Sequence, residues 1–166
     1  MATAIFYASS TGNTADVAKM ISQELGDIET FDIADCGVDE INNFDKVIIG
    51  TSTWGDGDLQ DDFDEAWDDF SNLSFENKTV ALFGLGDQDG YGEYYLDAVG
   101  TVYDKVIDNG GTVIGSFDVT DEYYHEESKA IRDDSFVGLA LDEDNQSELT
   151  EARVQKWCES IKGSIL

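Results

Sequence analysis

Apolar and polar positions along the chain fall into short continuous runs separated by longer periodic stretches. Ala4 to Ala8 is a short apolar run, broken by Ser9-Ser10-Thr11-Gly12-Asn13-Thr14. Val17, Ala18, Ile21 and Leu25 then recur at helical spacing, and Gly26 stops that helix. Ile28 to Ile33 reads as a weaker, alternating strand, and Lys46 to Gly50 as a continuous, β-branched, buried one. Phe63, Ala66, Trp67 and Phe70 mark one helix face, and Thr79 to Phe83 is the next strand. Tyr95, Leu96, Val99, Val102, Tyr103, Val106 and Ile107 form one stripe of a long helix that Gly110-Gly111 ends. Thr112 to Phe117 starts a fifth strand, Phe136 to Leu141 is a second apolar stretch, and Val154, Trp157, Cys158 and Ile161 give a last helix. Strand and helix in alternation predict an α/β fold with a parallel sheet covered on both faces, in three layers. The polar and aromatic segment 118–135 breaks the alternation and reads as an insertion in the last strand. The whole of 1–166 is expected to form one domain.

Charge narrows the function classes. Lys and Arg number 9 against 37 Asp and Glu, a formal net charge of −28. That excludes a nucleic-acid binder that neutralises phosphates, and it argues against docking on anionic lipid. Partners should be basic, with salt-dependent encounter. The runs Asp56 to Glu65 and Asp142 to Asp144 read as solvated faces, and a salt-adapted surface is a second account of the acidity. Cys36 and Cys158 are far apart and His125 is the lone histidine, read as a surface residue. A disulfide scaffold, a zinc site and an iron–sulfur cluster are all disfavoured. No apolar run reaches the roughly 18 residues of a membrane span, and the N-terminus carries no basic leader, so a cytoplasmic location is expected.

In a doubly wound sheet, ligands sit outside the carboxyl ends of the strands. After strand one, Ser9, Ser10, Thr11, Gly12, Asn13 and Thr14 offer hydroxyls and backbone N–H groups at a helix start, an anion site without Lys or Arg. Neither GxxxxGK[ST] nor GxGxxG is present, which points to one small phosphate rather than a triphosphate or a dinucleotide. After strand three, Ser52, Thr53, Trp54, Gly55, Asp56 and Gly57 put a tryptophan in a glycine-rich loop, where it makes sense as cover for a flat ring. The acidic spacing from Asp56 onward fails the calcium-loop pattern, because Asp61 and Trp67 stand where Gly and Glu are needed. After strand four, Leu85, Gly86 and Asp87 precede Tyr91, a second aromatic at the same sheet edge. Phosphate at loop one and a heterocycle between Trp54 and Tyr91 describe a flavin mononucleotide (FMN) site.

These residues, together with Phe136-Val137-Gly138-Leu139-Ala140-Leu141-Asp142-Glu143-Asp144-Asn145-Gln146, make the chain resemble a long-chain flavodoxin along essentially its whole length. The resemblance implies a five-stranded parallel sheet in order 2-1-3-4-5 and noncovalent FMN. It puts Ser9, Thr11 and Thr14 on the phosphate, Trp54 and Tyr91 on the two ring faces, and Asp144 near the ribityl chain. It implies a rotating peptide at Gly55–Asp56 that meets the reduced ring, and a glycine there should make the rotation cheaper. Segment 118–135 resembles the loop that separates long-chain from short-chain members. Partners implied are a ferredoxin–NADP reductase, photosystem I or other redox enzymes with basic docking patches, met by a monomer.

The chemistry expected is a low-potential, one-electron shuttle between flavin semiquinone and hydroquinone. One carboxylate at about 12 Å, with effective ε near 40, costs an added negative charge roughly 0.7 kcal/mol, or about 30 mV per electron. No Ser/His/Asp or Cys/His set can be built near the loops, so a carrier is favoured over an enzyme. The competing readings are an FMN-dependent quinone or flavin reductase on the same fold, and a phospho-accepting receiver domain. The receiver lacks its acids, since Gly50-Thr51 and Ser9-Ser10 stand where they belong.

Overall fold

The computed structural model describes residues 3–54 and 57–166. Strand β1 (Thr3–Tyr7) leads into helix α1 (Asn13–Glu24), and β2 (Glu29–Asp32) into a single turn, α2 (Ile33–Cys36). Strand β3 (Lys46–Trp54) is followed by the short β4 (Asp58–Leu59) and two single-turn helices, α3 (Asp61–Glu65) and α4 (Trp67–Ser71). Strand β5 (Thr79–Leu85) precedes α5 (Asp97–Asp108). Then come β6 (Thr112–Ile114), β7 (Phe117–Asp118), β8 (Ile131–Arg132), β9 (Ser135–Phe136), β10 (Leu139–Leu141) and α6 (Thr150–Ile165).

The main sheet runs β2-β1-β3-β5, with β6 and β10 both parallel to β5 on its far side. β6 pairs with Thr79 to Ala81 and β10 with Phe83 to Leu85, so together they are one fifth strand in two pieces. This is the expected order 2-1-3-4-5 with an insertion in the last strand. Helices cover both faces, which is why Val47, Ile48, Ile49, Val80, Ala81, Leu82 and Phe83 read as unbroken apolar runs.

Several boundaries differ from the sequence reading. Phe117 and Phe136 are not in the fifth strand; they pair with each other in a small antiparallel sheet, β7-β9-β8, inside the insertion. Ile33 leaves β2 because the Asp32 carboxylate accepts a hydrogen bond from the Ala34 amide and starts α2. The face of Phe63, Ala66, Trp67 and Phe70 is spread over α3 and α4, which break at Ala66. Tyr95 and Leu96 precede α5: Leu96 sits at φ 57, and the Tyr95 hydroxyl donates to the Leu141 carbonyl at 3.0 Å. Both are buried, so their apolarity matched the helix stripe without their backbone being helical.

The insertion packs on α5. The Asp97 carboxylate accepts from the Lys129 amide at 2.7 Å, and a Cβ on Gly100 would lie 2.5 Å from the Lys129 carbonyl oxygen. Alanine outranks glycine in a helix by about 1 kcal/mol. Gly100→Ala should nevertheless destabilise the protein by about 2 kcal/mol through that overlap, lowering the melting temperature by roughly 4–8 °C. Thermal unfolding followed by circular dichroism checks it, and an unchanged or raised midpoint contradicts the packing.

Candidate functional site

A cleft of about 200 Å³, open to solvent, lies at the carboxyl ends of β1, β3 and β5. Its lining includes Thr11, Asn13, Thr14, Ser52, Thr53, Trp54, Leu85, Gly86, Asp87, Tyr91 and Asp144 from the sequence reading, with Glu143 added. The fold therefore brings the three suspect loops and the end of β10 to one place. Ser9, Ser10, Gly12 and Gly57 belong to the same loops but are not part of that lining. Gly55 and Asp56, with the proposed rotating peptide, lie outside the described residues.

Loop one turns through Gly12 at φ 93, and open space lies where its Cβ would point. The Ser9 hydroxyl oxygen accepts from the Gly12 amide at 3.1 Å and the Ala15 amide at 3.4 Å, which folds the loop over the start of α1. Amides of Asn13 and Thr14 belong to the first helical turn, where no intrahelical carbonyl can reach them. Thr14 is buried in the cleft wall, while Thr11 and Asn13 are exposed. Among the described residues, no lysine or arginine lines the cleft.

Loop three is braced from both sides. The Thr53 hydroxyl accepts from the Ala98 amide at 3.2 Å, at the start of α5. The Trp54 indole N–H donates to the Ser52 hydroxyl at 2.8 Å, which fixes the ring by an edge and leaves the side chain 40% exposed. Gly57, at φ 96, closes the turn by donating to the Trp54 carbonyl. Tyr91 is 44% exposed in the same cleft. Gln60, fully buried, ties loop three to loop one: its Oε1 accepts from the Asp62 and Phe63 amides, and its Nε2 donates to the Ser10 hydroxyl at 2.9 Å.

Loop four rests on a polar junction that the sequence reading missed. Asp142 is completely buried; its carboxylate accepts from the Gln88 amide, Gln88 Nε2, the Asn145 amide and Asn145 Nδ2 at 3.0–3.2 Å. Gln88 Nε2 also donates to Gln146 Oε1, and Gln88 Oε1 accepts from the Tyr124 and His125 amides of the insertion. Asn145 Nδ2 reaches on to Asp87. Burial by itself would raise the Asp87 pKa, but hydrogen bonds from the Gly90 amide, Asn145 and the Asp89 amide outweigh it and hold the carboxyl below the ordinary value. Asp144 behaves oppositely: burial, then the charges of Asp87 and Asp142, push its carboxyl up. Carboxylate oxygens of Asp87, Asp142 and Asp144 lie within 4.8 Å of one another. Glu143 is held by a hydrogen bond from the Thr150 hydroxyl.

His125 is no free surface residue. It is half-buried and stacks on Tyr95 with ring centroids 4.9 Å apart, beside Tyr123 and Phe136. Burial lowers its pKa. A lone histidine in a polar segment gives no local signal of this; only the fold brings the aromatic partners around it.

A doubly wound sheet with a cation-free anion loop and two half-exposed aromatics at one sheet edge defines a protein built to hold an aromatic mononucleotide. A family model described as Flavodoxin matches residues 5–157. A flavodoxin of a Picosynechococcus species is 43% identical over 161 residues, covering 95% of this chain and 94% of its own. Flavodoxin 1 of Escherichia coli is 44% identical over 166 residues, covering 98% and 94%. Among solved structures, Fusobacterium nucleatum flavodoxin bound to flavin mononucleotide superposes with a TM-score of 0.93 at 35% identity, covering 99% of both chains. The chain belongs to the flavodoxin family.

A carboxyl whose pKa is raised by folding binds protons more tightly in the native state. Stability then falls as pH rises through the window between the ordinary and the raised value. Above that window, charged Asp144 is a standing cost to the flavin-free protein. Asp144→Asn should therefore raise the melting temperature of that form by about 1–3 °C at neutral pH and low salt, with no gain below the window. A lower midpoint at neutral pH would show that the carboxylates around Asp144 do not repel it.

Proposed function

We infer that this chain is an electron carrier, not an enzyme, and that it works at low potential through noncovalently bound FMN. The observation that carries this reading is a cleft with hydroxyls and helix-start amides at one end, two half-exposed aromatics at the other, and no cationic side chain in its wall. That donor set fits one phosphate on a flat, largely neutral ring system. Ser9, Thr11 and Thr14, with the amides of Asn13 and Thr14, would hold the phosphate. Trp54 and Tyr91 would flank the ring, and Asp144 would lie near the ribityl chain. Ser10, Gly12, Ser52, Thr53, Gly57, Leu85, Gly86 and Asp87 would shape the wall around it.

When bound, FMN supplies reversible one-electron chemistry. The chain supplies the setting. Indole and phenol keep water from the ring faces, in the orientation that Ser52 sets for Trp54. Asp87, Glu143 and Asp144 hold the cleft at negative potential, so any further negative charge there is disfavoured and the couple is driven low. Asp142 and Gln88 fix loop four and therefore where Tyr91 stands.

The electrons pass to and from other redox enzymes. Ferredoxin–NADP reductase and photosystem I are the proposed partners, met through basic patches by the acidic rim of a cytoplasmic monomer. The excursion between β6 and β10 supports the long-chain subtype, and the shared core supports a single domain over 1–166. Among the described residues, no helix is long and apolar enough to cross a membrane.

FMN added to the flavin-free protein should give a yellow complex with quenched flavin fluorescence, and Tyr91→Ala should weaken binding by about tenfold. Potentiometry of the complex should resolve two separate one-electron waves. A preparation that stays colourless, a single two-electron wave, or steady NADPH oxidation by the protein alone would overturn the reading. Reduction by a basic partner should slow markedly between about 0.01 and 0.15 M salt, as the screening length falls from roughly 30 to 8 Å. Stopped-flow rates that do not change with salt would remove the electrostatic docking.

A further inference from the structure

The chain has two arginines, and they are treated differently. Arg132 is exposed and makes a two-point pair with Asp104. Arg153 is 5% exposed, and all three of its guanidinium nitrogens are buried without a hydrogen-bond partner. The neighbouring acid, Glu122, approaches only to 4.0 Å, too far for a hydrogen bond, and its own side chain is half in solvent. The guanidinium instead lies 4.1 Å from the centre of the Tyr123 ring, whose hydroxyl is anchored on the Ala140 carbonyl. Ring contact satisfies the face of a guanidinium but none of its N–H groups. A buried cation with open donors is costly. In a protein of net charge −28 this is not for want of carboxylates.

Arg153 borders a cavity of about 140 Å³ between the insertion and the first turns of α6. Lys156, one helical turn on, lines the same cavity, and Phe117, Tyr123 and Leu149 supply apolar wall. The site lies at the N-terminal end of a 16-residue helix, where the backbone also favours negative charge. We propose that this cavity is a second ligand site, separate from the cleft at the sheet edge, and that it takes a small monocarboxylate with an apolar body. The guanidinium nitrogens carry almost no water-accessible surface and Glu122 is the acid nearest them, so the carboxylate reaches the guanidinium edge only by displacing the half-exposed Glu122 side chain, and the apolar part lies against Phe117 and Leu149. An acidic protein or peptide is a poor occupant, because it would be repelled by the rest of the surface. The apolar wall and the volume favour an organic anion over a bare halide.

The test uses the FMN-loaded protein and sodium benzoate, with sodium chloride at matched ionic strength and uncharged benzamide as controls. Isothermal titration and ligand-observed NMR should show one saturable benzoate site per chain, with little response to either control. Arg153→Met, which trades the buried charge for a similar apolar volume, should still fold and should weaken benzoate at least about tenfold. Lys156→Gln should weaken it less, and Glu122→Gln should tighten it by removing the competing carboxylate. Absence of binding in both wild type and Glu122→Gln would mean that Glu122 alone neutralises Arg153, and would overturn the proposal. Equal responses to chloride and benzoate would overturn the ligand class, and benzoate binding unaffected by Arg153→Met would overturn the site.

Discussion

A carboxylate with no exposure to water and no cation to pair with holds the working end of this protein together. Asp142 spends its charge on neutral amides from Gln88 and Asn145. Those amides come from the loop after β5 and the turn after β10, and Gln88 passes the connection on to the backbone of the insertion. Removing this one acceptor would leave several buried donors unpaired at once, each worth about 1–3 kcal/mol of desolvation. The junction is sited immediately behind Asp87 and Asp144, so the cleft wall is only as well defined as the hydrogen bonds beneath it.

Much of this architecture was legible along the chain, for identifiable reasons. A parallel sheet covered on both faces needs continuous apolar strands, and Lys46 to Gly50 and Thr79 to Phe83 announce themselves that way. Loop one alone was ambiguous, because hydroxyls and glycine before a helix also serve as ordinary caps; it read as a site only in company with Trp54, since a loop seldom carries an indole. Tertiary packing decided the rest. Tyr95 and Leu96 carry the apolar character of the following helix while Leu96 takes a left-handed backbone. Phe117 and Phe136 look like strand residues and are, but in a sheet of their own. Gln60, Gln88 and Gln146 are mostly surface residue types, and nothing local marks them as buried connectors. Glu143 sat unremarked in an acidic run until the fold turned it toward the cleft.

The distribution of charge is as informative as its amount. Among the described residues only Arg132–Asp104 and the long Arg153–Glu122 contact approach ion-pair distance. The acidic groups are thus left to repel one another across the surface, and the price is moderated by salt rather than by internal partners. Such a surface keeps the polypeptide dispersed and gives its negative field reach, while the proposed phosphate site would draw on oriented backbone dipoles and hydroxyls. Affinity for an anion inside a strongly negative body requires that division of labour.

The register of the fifth strand has one more consequence. Ala81 faces Ile114 and Phe83 faces Leu139, which leaves a single position, opposite Leu82, between the two pieces. Gly138 lies against the Leu82 carbonyl, where a Cβ would come within 2.2 Å of the oxygen. Cutting the chain after Ile114 and rejoining it at Gly138 would therefore restore one uninterrupted β-ladder with the spacing intact. The sheet is indifferent to how much polypeptide departs and returns at that point. The departing stretch is tied back outside the ladder, by side chains at Gln88, Asp97 and Gln146, by the Gly92 carbonyl, and by Tyr123 and His125 packed on the body of the protein, so a change in its length would act on the rim of the molecule while the scaffold stays the same.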